Sequence, residues 1–203
     1  MITTTAASPV GAPFTGITVD LERGKILEFA EAIRSTHGAY RDAERPVVPP
    51  TYLCFEGFVP GSARPDQHAM PAEQDCRFFG PPPRAGDRLN VHSRGNESEQ
   101  LTEFRDAEGR LIADSWSHGS ATDAVASGLL ANFATDWLGP ESVRRFRTRF
   151  VERVSEGDTL ACSGEVLQEY IQDGEPRVDV VLTATRPGGA VAAKAWATFA
   201  RAS

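Results

Sequence analysis

The sequence predicts an α+β fold, an antiparallel sheet wrapped around central helices. Three observations carry that prediction. A helix-like run, Asp123–Leu138, is followed by four strand-like segments: Val143–Val154, Thr159–Tyr170, Arg177–Arg186 and Ala190–Ala200. No proline interrupts any of these strands, so each can sit inside a sheet. An earlier helix-like run is also followed by strands, and turn residues separate the segments.

In chain order, Met1–Pro13 is small and polar and reads as a mobile end. Thr15–Val19 reads as a short strand, and Asp20 as the cap of a helix running to about Ile33. Ile26, Leu27, Phe29, Ala30 and Ile33 give that helix an apolar stripe. Arg34–Glu73 is irregular and rich in proline, and its apolar stretch Thr51-Tyr-Leu-Cys-Phe-Glu56 reads as buried or ligand-lining. Strands resume at Asp75–Phe79, and Gly80–Gly86 is a stiff connection. Asp87–Arg94 alternates with Leu89 and Val91 on one face. Gln100–Arg105 and Arg110–Ser117 flank Asp106-Ala-Glu-Gly109, a hairpin signal with Gly109 free to take positive φ. His118–Thr122 is a junction. After the second helix, Asp173-Gly174 and Pro187-Gly-Gly189 divide the last three strands. The order helix, strands, helix, strands suggests an internal duplication.

Composition narrows the function classes. A chain of 203 residues, 40% hydrophobic and 24% charged, can bury a sizeable core. A net charge of -7 argues against nonspecific nucleic-acid binding. Arg145, Arg147 and Arg149 share one strand face, opposite Phe146, Thr148 and Phe150. That face reads as solvated, or as a contact for a phosphate-bearing carrier or cofactor. Cys54, Cys76 and Cys162 lack metal-ligand spacing and read as buried thiols of a reducing compartment. No stretch has the apolar length of a membrane span, and the start lacks the features of a signal peptide, so a cytoplasmic location is expected.

At Arg84-Ala-Gly-Asp87 and Glu156-Gly-Asp-Thr-Leu160 the chain resembles the MaoC-like branch of the hot-dog fold superfamily. Gly16–Ile33, Val47-Val-Pro-Pro-Thr-Tyr52, the strand around Phe78 and the Asp106–Gly109 hairpin are similar to its N-terminal dehydratase-like domain. Ser127-Gly-Leu-Leu130, Asp136-Trp-Leu-Gly139 and Arg145-Phe-Arg-Thr-Arg-Phe150 resemble the end of a second hot dog. The resemblance implies a compact double hot dog, with halves at 14–119 and 120–203, the second shortened. It implies a lyase that hydrates enoyl thioesters or dehydrates 3-hydroxyacyl thioesters in a tunnel beside the central helix. The implied partner is an acyl-CoA or acyl-carrier-protein thioester, with no metal or redox cofactor. Pairing as a homo-oligomer or a hetero-oligomer is expected.

The family's apparatus is an Asp and a His written D-x-N-P-x-H, with a later His-Gly whose backbone N–H holds the thioester carbonyl. This chain has Ser35-Thr-His-Gly-Ala-Tyr40 at the first place, with Thr36 at the Asp position and Tyr40 at the His position. Ser127 stands at the His of His-Gly, leaving Gly128 as the carbonyl-binding N–H. His118 and Asp123 are the nearest substitutes for a His–carboxylate pair, although Asp123 reads equally as a helix cap. His37 is a cap or a proton shuttle, and Tyr40 a packing residue or a donor to substrate oxygen. Tyr52 and Glu56 occupy the apolar segment, where a buried carboxylate acts as an acid or pairs with an arginine. Asn132 and Asp136, four apart on the second helix, are solvated or bind a polar substrate group. Val125, Leu129, Phe133 and Trp137 form that helix's apolar stripe, and Trp137, Phe146 and Trp196 are expected in the core. The altered motif keeps two further readings open. One is a noncatalytic acyl-binding or structural subunit. The other is a cyclase or isomerase of a secondary-metabolite pathway using the same tunnel.

Overall fold

The computed structural model of the chain describes residues 16–54, 73–95, 99–119, 124–154 and 157–201. The first set of elements is β1 (Ile17–Asp20), α1 (Arg23–Ala32), α2 (Gly38–Arg41), β2 (Glu73–Phe78), β3 (Arg88–Gly95), β4 (Glu99–Arg105) and β5 (Leu111–His118). The second set is α3 (Ala124–Leu138), β6 (Val143–Phe150), β7 (Ala161–Gln172), β8 (Glu175–Thr185) and β9 (Val191–Ala200). A 3-10 turn at Tyr52–Cys54 precedes β2.

The nine strands form one antiparallel sheet in the order β1-β3-β4-β5-β2-β6-β9-β8-β7. The order repeats about the β2–β6 seam: β2, β5, β4 and β3 on one side correspond to β6, β9, β8 and β7 on the other. β1 has no counterpart among the described residues, and β7 is the last strand of the sheet among them. Turn chemistry sets the hairpins. Asp173 and Gly174 both take positive φ, 54° and 82°, as a two-residue primed turn requires. Asp106 holds its loop by accepting the Arg110 N–H at 2.9 Å.

The sequence departs from its expected ends where tertiary partners intervene. Asp20 does not cap α1. It ends β1 opposite Arg88, whose guanidinium donates to it at 2.6 and 2.9 Å. α1 starts three residues later, with Glu22 at the cap position and no side-chain bond there. β6 ends at Phe150 rather than Val154, because the N–H groups of Val151 and Glu152 both turn to the Ala192 carbonyl.

Helices α1 and α3 lie on one face of the sheet. α3 buries Ala126, Ser127, Leu130, Ala131 and Ala134 against β9 and β8, whose facing residues include Ala193, Ala195, Ala197 and Leu182. Alanines on both surfaces let the helix sit close. Phe78, Phe104, Phe146, Phe150 and Phe199 fill the remaining core, which is continuous from Leu21 to Phe199. Phe146 is buried as expected; Trp137 and Trp196 are not. The stripe expected to bury α3 is turned outward at Val125, Phe133 and Trp137. Phe133 and Trp137 lie over β7 at Gly164, where no further strand covers them among the described residues. Trp196 is half-buried on the opposite sheet face, which carries the charged residues.

Candidate functional site

Two polar clusters stand out inside the fold. The first is the corner where α1, α2 and α3 meet. The chain leaves α1 through Arg34, a non-glycine residue at φ 57°, and Ser35 is buried. His37 caps α2: its Nδ1 accepts the Ala39 N–H at 3.1 Å. In the neutral ring the proton therefore sits on Nε2, which makes His37 a donor. Tyr40 is fully buried, its ring centroid 5.8 Å from that of His37. Its hydroxyl makes no hydrogen bond of normal geometry, although Thr135 lies nearby. Burial pushes the phenol well above its usual range, and Asp136 adds to the effect. Tyr40 is a neutral donor at any ordinary pH.

The α3 side of this corner is tied down. Asn132 Nδ2 donates to the Ile33 carbonyl at 2.7 Å, and its Oδ1 is buried without a partner. A Cβ on Gly128 would stand 2.4 Å from Ile33 Cγ2, so only glycine allows the two helices to approach this closely. Gly128 is the fifth residue of α3, and its N–H belongs to the helical ladder rather than to the free first turn. Ser127 is buried on the sheet side, and Asp136 is exposed.

The second cluster is a seam of small polar side chains on the sheet face that packs against the helices. Ser93 faces Thr102, which faces Ser115; Ser117 faces Gln74, which faces Thr148. Ser93 and Thr102 share a hydrogen bond of 2.6 Å, and Gln100 Nε2 donates to Ser93 at 2.9 Å. Gln74 is 1% exposed, and neither its amide oxygen nor its nitrogen has a partner. The Thr148 hydroxyl beside it is also buried and unpartnered, as is that of Thr51. Each buried, unmatched polar group costs about 1–3 kcal/mol. Packing alone has no use for such a row. Nearby, the Cys76 thiol abuts Cys54, and burial pushes its pKa up, with Cys54 adding to the rise. All three cysteines are free; Cys54 and Cys76 are buried and Cys162 is half-buried.

The structure thus gathers His37, Tyr40, Gly128, Asn132 and Asp136 around the end of α1. It places His118 elsewhere. That ring stacks on Trp116 at 6.0 Å, on the sheet face away from the helices, and is exposed. Tyr52 is buried edge-on against Phe29 at 5.3 Å, and burial, with Glu22 and Glu28 near it, raises its pKa to about 12. Asp123 and Glu56 lie outside the described residues. Sequence reading missed Gln74, Ser93, Thr102, Ser115 and Thr148 as a set. The available signal was a polar residue at an inward strand position, such as Thr148 between Phe146 and Phe150.

The arginine face carries its own counterions. Arg145 donates to Asp75 through Nε at 3.0 Å and Nη2 at 2.5 Å, Arg147 pairs with Glu73 at 2.5 Å, and Arg77 grips Asp114. Arg145, Arg147, Arg149 and Glu73 line a shallow groove of about 350 Å³ with Trp196 and Leu167. No helix among the described residues is long and apolar enough to cross a membrane.

Comparison with known proteins agrees with this architecture. A MaoC-like dehydratase superposes with a TM-score of 0.73 over 94% of this chain and 98% of its own, at 14% identity. A MaoC-like dehydratase from Phytophthora capsici gives 0.67 over 96% and 97% of the two chains, at 11% identity. A conserved hypothetical protein of Mycobacterium tuberculosis with a double hotdog fold gives 0.64 over 95% and 96%, at 11% identity. At such identities the likeness establishes the fold. Residues 8–113 match the family model described as FAS1-like, dehydratase domain region. A search of curated proteins found no match.

Proposed function

This chain belongs to the FAS1-like dehydratase-region family and has the double hot-dog fold of MaoC-like dehydratases, and from that premise we propose that it adds or removes water at an acyl thioester. The observation that carries the proposal is the polar seam ending at the unpartnered Gln74 amide. An amide beside the Thr148 hydroxyl can donate to a carbonyl and accept from a hydroxyl, the two groups that a 3-hydroxyacyl chain presents.

In the dehydration direction, a base removes the proton alpha to the thioester carbonyl. The 3-hydroxyl then leaves with a proton as water, and a 2-enoyl thioester remains. The acyl group is proposed to lie between the helices and the polar sheet face, with its thioester end at the α1–α2–α3 corner. His37 Nε2–H and the Tyr40 hydroxyl are the proton donors proposed there, and Asp136, whose charge bears on Tyr40, is the carboxylate proposed to take the alpha proton. Tyr40 suits donation because burial keeps it protonated. The substrate is proposed to be carried on coenzyme A or on a carrier protein.

A second reading has specific support. The Gly128 N–H is committed to the helix, the Asn132 amide is spent on Ile33, and His118 faces the other side of the sheet. These facts suit an acyl-binding protein without turnover. Mass spectrometry of the chain incubated with enoyl and 3-hydroxyacyl thioesters separates the two. Gain or loss of one water, reduced at least tenfold by Gln74→Leu and by His37→Ala, is the expected result. Bound but unchanged thioester across the panel would replace the lyase reading with the binding one.

A further inference from the structure

Gln74 and Thr148 suffice for the carbonyl and the 3-hydroxyl of an acyl thioester, yet the polar row does not stop with them. Ser115, Thr102 and Ser93 are buried on the same sheet face, and Ser117 and Gln100 beside them are half-buried. From Thr148 on β6 the row crosses β2, β5 and β4 to Ser93 on β3, four strand intervals and roughly 19 Å at ordinary strand spacing. A carbonyl and a hydroxyl two carbons apart cannot occupy a row of that length. The molecule also contains its own control. About the β2–β6 seam, β5 and β4 correspond to β9 and β8. The buried positions of β9 are Ala193, Ala195, Ala197 and Phe199, and those of β8 run from Val178 through Leu182 to Ala184, all of them apolar. Packing helices on this sheet therefore needs no hydroxyls. Their place is confined to the first half.

We infer, on the reading of this seam as the acyl site, that the acyl chain held here carries at least one further hydroxyl or keto oxygen beyond C3, and that Thr102 and Ser115 select for it. The hydroxyls have hydrogen bonds left to make. Ser93 and Thr102 share a single bond, and Gln100 fills a lone pair of Ser93. Whichever hydroxyl of the pair donates, the other's proton is left over within it. The element laid on the row is unmatched as well. Cys54 of the 3-10 turn abuts Cys76, which pairs with Ser115 across the ladder, and Thr51 at the head of that turn buries an unpartnered hydroxyl. A plain hydrocarbon chain on this row would leave these groups without partners and without water. A site built to hydrogen-bond an oxygen rejects the analogue that lacks it for that reason.

Matched pairs of 3-hydroxyacyl N-acetylcysteamine thioesters test the inference on the full chain. The two members have equal chain length; one bears a further hydroxyl at C5 or C7 and the other a plain alkyl chain. Mass spectrometry reads loss of water, and titration calorimetry reads binding. The oxygenated member is expected to be favoured at least tenfold, in kcat/KM where there is turnover and in Kd where there is none. Thr102→Val with Ser115→Ala should abolish that preference. The preference is a ratio between two substrates on one sample, so it does not depend on how much of the variant is folded. Turnover with no preference, or with the alkyl member preferred, would overturn the inference and leave dehydration standing, the row then holding only water. Preference in binding without turnover would end the lyase reading and uphold the inference. A preference that survives the double variant, or no binding of either member, would overturn it.

Discussion

Gln74 shows most plainly how one residue separates stability from function here. Its amide is sealed inside the sheet face without a partner, beside the Thr148 hydroxyl in the same state. Replacing a buried, unmatched amide by an apolar side chain of similar size removes a penalty. Gln74→Leu is therefore expected to raise stability by about 1 kcal/mol while lowering turnover or thioester affinity. Denaturant unfolding and the thioester assay, run on the same variant, read both effects. Parallel losses would make Gln74 an ordinary core residue. Gly128 behaves in the opposite way. Gly128→Ala forces a methyl against Ile33, and overpacking of that kind costs about 1–3 kcal/mol. A thermal unfolding midpoint equal to wild type would mean that the α1–α3 contact yields to a methyl without cost.

At the scale of elements, a long-range hydrogen bond ties α3 to the end of α1. Asn132 reaches across 99 residues of sequence to the Ile33 carbonyl. Asn132→Ala should lose about 1 kcal/mol and speed hydrogen exchange at the C-terminal end of α1. Unchanged exchange there would show that the corner is set by packing alone. The strands needed less help. Alternation, the Asp173-Gly174 turn and the Asp106–Gly109 loop appear where the sequence places them, because each depends on residues within a few positions of one another. Helix α1 shows where local reading ends: Asp20 is a good cap in isolation, but Arg88, directly opposite in the sheet, takes its carboxylate.

At the scale of the molecule, the core runs unbroken from the first strands to the last, and β2 has β6 as its neighbour. Residues 16–119 and 124–201 made as separate chains should each aggregate, and should recover a soluble complex when coexpressed. Separate soluble monomers would show two independent domains. Alkali tests the core in another way. Tyr52, near 10 when unfolded, is raised to about 12 by burial and by Glu22 and Glu28. The unfolded state loses this proton first, so stability is full below about pH 10 and falls through pH 12. Tyr52→Phe should flatten that fall, and an unchanged alkaline profile would remove Tyr52 as its source. By itself, the sequence determined the order of helices and strands, the turns, the ion-bearing face of β6 and the likeness to a dehydratase family, all written in local patterns. Only the tertiary structure decided which polar residues meet. Gln74 and Thr148 are far apart in the chain and adjacent solely through strand pairing. It also decided that Phe133 and Trp137 face outward, because a stripe is buried only if some element lies over it, and periodicity along one helix carries no record of what lies beside it.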